Sequence, residues 1–138
     1  MDVKELRIGN LVKDDECIIV IVEALSGDNA LVNGYGENEV LFSKKGYPNV
    51  LFESEIHPIE LTEELLFKCG FEKVKSNYEY AECFDYVLQP IYFDMSNTSI
   101  KINGVYQAIK YPKYLHELQN LYFALTGQEL DISQLINN

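Results

Sequence analysis

Between Tyr111 and Leu130 the chain reads YPKYLHELQNLYFALTGQEL, a pattern with a helix start, an apolar face and a stop. Pro112 fixes φ near the helical value and needs no N–H partner, which suits a first-turn position. At about 100° per residue, Tyr114, Leu115, Leu118, Leu121, Tyr122 and Leu125 fall on one stripe. Gly127 follows the last periodic residue and suits the left-handed position just past a helix end. A helix so placed, late in the chain, predicts a lid over a sheet built by the residues before it. Its opposite side carries His116, Gln119, Asn120 and Phe123, which are helical neighbours and uncharged. Either that side packs beneath another part of the chain, or it is a partner or dimer surface with Phe123 as anchor, as the enrichment of aromatics at interfaces suggests.

The residues before this helix alternate strands with turn chemistry. Leu6–Val12 predicts a first strand with a bend at Gly9-Asn10, and Asp14-Asp15-Glu16 a charged turn. Cys17–Leu25 is close to continuously apolar, which predicts a strand buried on both faces. Strands follow at Ala30–Asn33, around Glu39–Phe42 and at Asn49–Phe52, then a helical turn over Phe52–Glu55 and a last strand at Ile56–Ile59. Short strands with tight turns predict a small, strongly bent barrel, similar in outline to SH3-like barrels. Thr62 is placed to cap a short helix whose first turn holds Glu63 and Glu64 and which Gly70 ends. Strands then read at Phe71–Val74, Phe84–Leu88, Ile91–Asp94, Ser99–Ile102 and Val105–Ile109, with Asn103-Gly104 as a hairpin turn. The expected architecture is α+β: an SH3-like barrel over residues 1–60, packed on an α-β-β-β-α antiparallel layer over residues 61–138.

Charge narrows the function classes. The chain has 138 residues with 11 basic and 22 acidic side chains, a net −11. The deficit is spread, with 5 basic and 11 acidic residues up to residue 58 and 6 and 11 after it. Neither half supplies the basic footprint that phosphate contacts need, so direct nucleic-acid binding is disfavoured. Acidity favours solubility and a basic partner. The longest apolar run, Cys17–Val22, is strand-sized, so no membrane span is expected. The opening MDVKELRIG lacks a basic region followed by an apolar core, so no signal peptide is expected. Three cysteines, Cys17, Cys69 and Cys83, at unrelated spacings point to a reduced, cytoplasmic protein.

Three stretches, LRIGNLV at 6–12, LTEELLFKCGF at 61–71 and YLHELQNLYFALTGQEL at 114–130, resemble a family of small uncharacterised bacterial proteins found in genomes and prophage-like mobile elements. This chain departs from it in the middle stretch, having Leu65 and Lys68-Cys69 where members have Trp and Lys-Phe. The resemblance implies a shared layout and a mobile-element role. It implies no activity and transfers no site residue.

Motifs for chemistry are sparse. Glu53, Glu55 and His57 would share one side of an extended segment and could form a weak divalent site, though a solvated strand edge has the better claim. Cys69 is on the apolar side of a helix, where a thiol behaves as a small hydrophobe. Cys83 lies among acids, which blunt its reactivity. No nucleophile elbow, phosphate loop or cofactor motif is present, so no catalytic, metal or cofactor-binding residue is assigned and no enzyme is expected. Eight of the ten tyrosines lie between Tyr78 and Tyr122, interleaved with acids from Tyr78 to Tyr86. Base stacking calls for interleaved cations, whereas tyrosine beside acids suits either a half-buried sheet or a wet protein interface. The reading is a non-enzymatic interaction protein with a candidate surface of Tyr78, Tyr80, Tyr86, His116, Gln119, Asn120 and Phe123, and with homodimerisation open. The alternative is an acidic mimic of nucleic acid that blocks a basic host protein.

Overall fold

A computed structural model describes residues 1–26, 29–34, 49–75, 84–95, 99–109 and 111–136. It is α+β, with two antiparallel sheets and few helices, and it divides into two compact units. One takes Met1–Glu60 with Lys113–Leu121; the other takes Leu61–Pro112 with Tyr122–Asn137. The boundary therefore differs from a split contiguous in sequence, because the first turns of the late helix belong with the N-terminal residues.

The first unit is a four-stranded meander: β1 (Leu11–Lys13), β2 (Ile19–Ser26), β3 (Asn29–Gly34) and β4 (Asn49–Phe52), in that spatial order. A bulge between Val22 and Ala24 bends β2. Val20 and Val22 are fully buried with Val3, Leu6, Val12 and Ile56, while Ile19 and Ile21 are only half-buried, so β2 is not equally covered on both faces. Residues 6–10 do not extend a strand. Val3–Glu5 is a 3₁₀ turn, Gly9 has φ 95°, and the Asn10 side chain accepts from the Arg7 amide at 2.7 Å, which closes a turn before β1 starts. Glu53–Glu55 forms a 3₁₀ turn. The expected strand at Ile56–Ile59 reduces to two antiparallel bridges, Lys13 with His57 and Glu60 with Tyr114, since Pro58 has no N–H to offer a ladder. A closed barrel is not found among the described residues; the sheet is an open meander. The strand expected around Glu39–Phe42 lies outside the described residues.

The second unit begins with α1 (Glu63–Lys68). Thr62 Oγ1 accepts from the Leu65 amide at 3.2 Å, and the helix ends as the amides of Gly70 and Phe71 donate to the carbonyls of Phe67 and Leu66. Gly70 holds φ 96°, and Phe71 drops into the core. A five-stranded antiparallel meander follows: β5 (Glu72–Lys75), β6 (Phe84–Leu88), β7 (Ile91–Asp94), β8 (Ser99–Ile102) and β9 (Val105–Gln107). All five strands read from the sequence in this stretch are present, so the sheet holds two more than the three-stranded layer of the expected architecture. Asn103 (φ 51°) and Gly104 (φ 81°) make the turn between β8 and β9. Register puts Tyr86, Ile91, Phe93 and Ile100 on one face, where Phe93 stacks on Phe71 at 5.1 Å and meets Tyr111 at 4.9 Å. Asp85, Tyr92, Asp94, Lys101 and Tyr106 take the other face.

The late helix, α2 (Leu115–Thr126), starts three residues after Pro112. Tyr114 is still extended, bridged to Glu60, and the Leu115 amide donates to the Ile59 carbonyl at 2.8 Å, so the proline lies outside the first turn. The helix stops at Gly127, φ 70°. A short α3 (Ser133–Ile136) follows, its first amide received by Asp131 Oδ1 at 3.0 Å. Among the described residues no helix is long and apolar enough to cross a membrane.

Candidate protein-interaction face

The helix side that carries His116, Gln119 and Asn120 belongs to the first unit, and it is used internally. Gln119, fully buried, accepts from the Leu11 amide at 2.8 Å through Oε1 and donates to the Gly9 carbonyl at 3.0 Å through Nε2. Its amide does for the start of β1 what a neighbouring strand would do. Asn120 Oδ1 accepts from Asn10 Nδ2 at 2.9 Å and Arg7 Nε at 3.3 Å, while its Nδ2 donates to the Glu5 carbonyl at 3.1 Å. His116 is 1% exposed and lies parallel to the Tyr114 ring at 5.9 Å. Among the described residues its ring nitrogens have no hydrogen-bond partner within ordinary distance, and Glu5 Oε2 lies 3.6 Å from Nε2. Burial lowers its pKa, against the opposing pull of Glu117 and Glu5. These residues are a packing seam; His116 and Gln119 present no area to a partner of the folded chain.

The remaining expected residues lie in the second unit or outside the description. Tyr78 and Tyr80 are outside the described residues. Tyr86 is buried on the core face, tilted against Phe67 at 6.1 Å, and its hydroxyl donates to Glu63 at 2.7 Å. Burial first and then Glu63 push its phenol up to about 12. Glu63 also takes Lys73 at 3.1 Å, and these two bonds hold its carboxyl below the ordinary value. Phe123 is 38% exposed. Its sequence neighbours on the helix side are thus divided from it, three in one unit and Phe123 in the other.

The residues that form a face together were not those expected. Tyr92, Lys101 and Tyr106 are paired in a row across β7, β8 and β9, and the Lys101 ammonium lies over both rings, 5.1 Å from Tyr92 and 4.6 Å from Tyr106. The Tyr92 hydroxyl donates to Asp85 at 2.6 Å and the Tyr106 hydroxyl to Asp94 at 2.9 Å. Both aspartates are buried, and Asp85 accepts the Met95 amide as well, at 3.0 Å. Burial first, then Asp85, raises the Tyr92 phenol to about 12. Tyr106 is 54% exposed although its hydroxyl is bonded. A sequence signal for this face exists in β7, where Tyr92 and Asp94 alternate with apolar Ile91 and Phe93.

Residues 53–55 are a 3₁₀ turn, so Glu53, Glu55 and His57 do not line one side of a strand, and His57 Nε2 instead meets Asp15 Oδ1 at 2.6 Å on the surface. Among the described residues no group of three or more His, Cys, Asp or Glu is placed to hold a metal ion. Cys69 is buried, which pushes its thiol up to about 11 with Asp131 adding to the shift. Comparison with protein-family models, with curated proteins and with solved structures found no match.

Proposed function

We propose that the chain is a non-enzymatic protein-interaction protein whose contact face is the tyrosine–lysine row of the five-stranded sheet. The observation that carries this is Tyr106: a large ring, half exposed, whose orientation is set in advance by Asp94 and Lys101. A fixed aromatic with a polar tip loses little entropy on docking, which is why such side chains anchor protein interfaces. Exposed Val105, beside Tyr106 on β9 but on the other side of the sheet, adds apolar area along the same edge. The odd cysteine count, with thiols free at Cys17 and Cys69, supports a reducing cytoplasm. The three stretches that resemble prophage-borne proteins support a mobile-element origin. For the first unit an SH3-like reading is supported by the meander, the 3₁₀ turn at Glu53–Glu55 and the bridge from His57 back to Lys13.

The alternative, an acidic mimic of nucleic acid, draws less support. Asp85 and Asp94 are buried beneath tyrosine hydroxyls, Glu63 and Glu64 pair with lysines, and Asp15 with His57. The test is affinity capture from the source cells with quantitative mass spectrometry, comparing the wild-type chain with Tyr106→Glu. At least one protein enriched on the wild type and lost on the variant is expected; identical captured sets would sink the assignment of this face.

A further inference from the structure

The two edges of the five-stranded sheet are built differently. β5 reads Glu72-Lys73-Val74-Lys75, three charges in four residues. Charges at an edge are the usual guard against pairing with another chain, because a charge caught in a dry ladder is costly. β9 reads Val105-Tyr106-Gln107 and carries no charge, with Val105 62% and Tyr106 54% exposed. The two-residue turn makes Ile102 and Val105 a hydrogen-bonded pair, so the next pair, Lys101 and Tyr106, is a non-hydrogen-bonded one. The Tyr106 N–H and C=O therefore point away from β8, toward the side on which no described strand pairs.

Charge selects the occupant. Two chains of net −11 repel each other over most of their surface. Between Asp94 and Glu117, however, there is no acid, and that stretch contains β8, β9 and three lysines. Asp94, which accepts the Tyr106 hydroxyl, is buried there, so two copies meet at this edge with less opposition than over the rest of the surface. An antiparallel strand pair also obeys a two-fold axis, so β9 can pair with itself: centred on Tyr106, each outward N–H donates to the other copy's outward C=O. The two Tyr106 rings then face each other as a cross-strand aromatic pair. Lys101 is one strand back, which keeps the two ammonium groups about three strand spacings, roughly 14 Å, apart and largely screened at physiological salt.

We propose that β9 is a homotypic docking edge, and that its occupant is the β9 strand of a second copy of this chain. The inference rests on the interaction reading above and names one partner for it. A three-residue edge buries less than the roughly 1,000 Å² of a permanent interface, so the pairing is concentration-dependent.

Sedimentation equilibrium of the full chain, from about 10 μM to 1 mM, tests it across the range in which contacts of this size titrate. The mass is expected to rise from 15.9 kDa toward twice that value, and to rise further when salt screens the repulsion. Val105→Lys, at a position exposed enough to tolerate it, should weaken association by about tenfold or more. Lys75→Glu on the guarded edge should leave it unchanged. Hydrogen exchange read in parallel should show the Tyr106 amide gaining protection with concentration, which a fold defect in a variant would not produce. A monomer at every concentration, or a dimer indifferent to Val105→Lys, overturns the proposal. If the chain stays monomeric yet captures another protein through Tyr106, the interaction reading stands and the homotypic edge falls.

Discussion

Gln119 shows how one side chain can decide a local fold. Its amide supplies an acceptor for the Leu11 N–H and a donor for the Gly9 carbonyl, both at the start of β1. Gln119→Met keeps the volume and removes both bonds, leaving a buried backbone N–H without a partner. Denaturant unfolding should report a loss of about 2–3 kcal/mol. His116, on the same seam, makes stability depend on pH. Its folded-state pKa is lowered, chiefly by burial, so the unfolded chain binds the proton first as pH falls below the ordinary histidine value of 6.5. Stability from this group is fully present above 6.5 and is lost as pH falls from there toward the folded-state value. Unfolding curves at a series of pH values should show that slope in the wild type and its loss in His116→Phe; parallel profiles would contradict it. The thiols divide by burial: Cys69, pushed to about 11, should resist iodoacetamide at neutral pH in the native chain, while exposed Cys17 should react, as peptide mass mapping would show.

At the scale of elements, local chemistry was legible where it acts through the backbone nearby. Thr62, Gly70, Asn103-Gly104 and Gly127 each end or turn an element where the residue type predicts. Gly104→Ala meets no neighbouring atom, so its cost is backbone strain alone, about 1 kcal/mol by thermal unfolding, and Thr62→Ala should cost a similar amount. Less legible were side-chain bonds that override a local pattern and bonds between distant residues. Arg7–Asn10 closed a turn inside an apolar, strand-like run, and Ile59 took the Leu115 amide, so that Pro112 fell outside the helix. The sequence shows that this helix side is uncharged, yet only tertiary pairing shows that Gln119 and Asn120 serve the backbone of residues more than a hundred positions earlier. Asp85 and Asp94 were invisible as partners of Tyr92 and Tyr106 because register, not spacing, brings them together.

On the scale of the whole molecule, the α+β class followed from turn signals and periodicity. The assignment of Lys113–Leu121 to the N-terminal unit did not, since it depends on which surface a helix face meets rather than on the face itself. The stretch without acids between Asp94 and Glu117 coincides with a strand that carries no charge and with an exposed tyrosine whose hydroxyl is bonded. The central claim is that the β9 edge of the five-stranded sheet, where Tyr106 and Val105 stand side by side, meets protein. Its most direct test is a photo-crosslinking residue placed at Val105, with the same residue at Lys75 on the opposite edge as the control. The account predicts protein adducts at position 105, the chain's own copy among them, and few at position 75. Equal labelling at the two edges, or no adduct at 105, would contradict it.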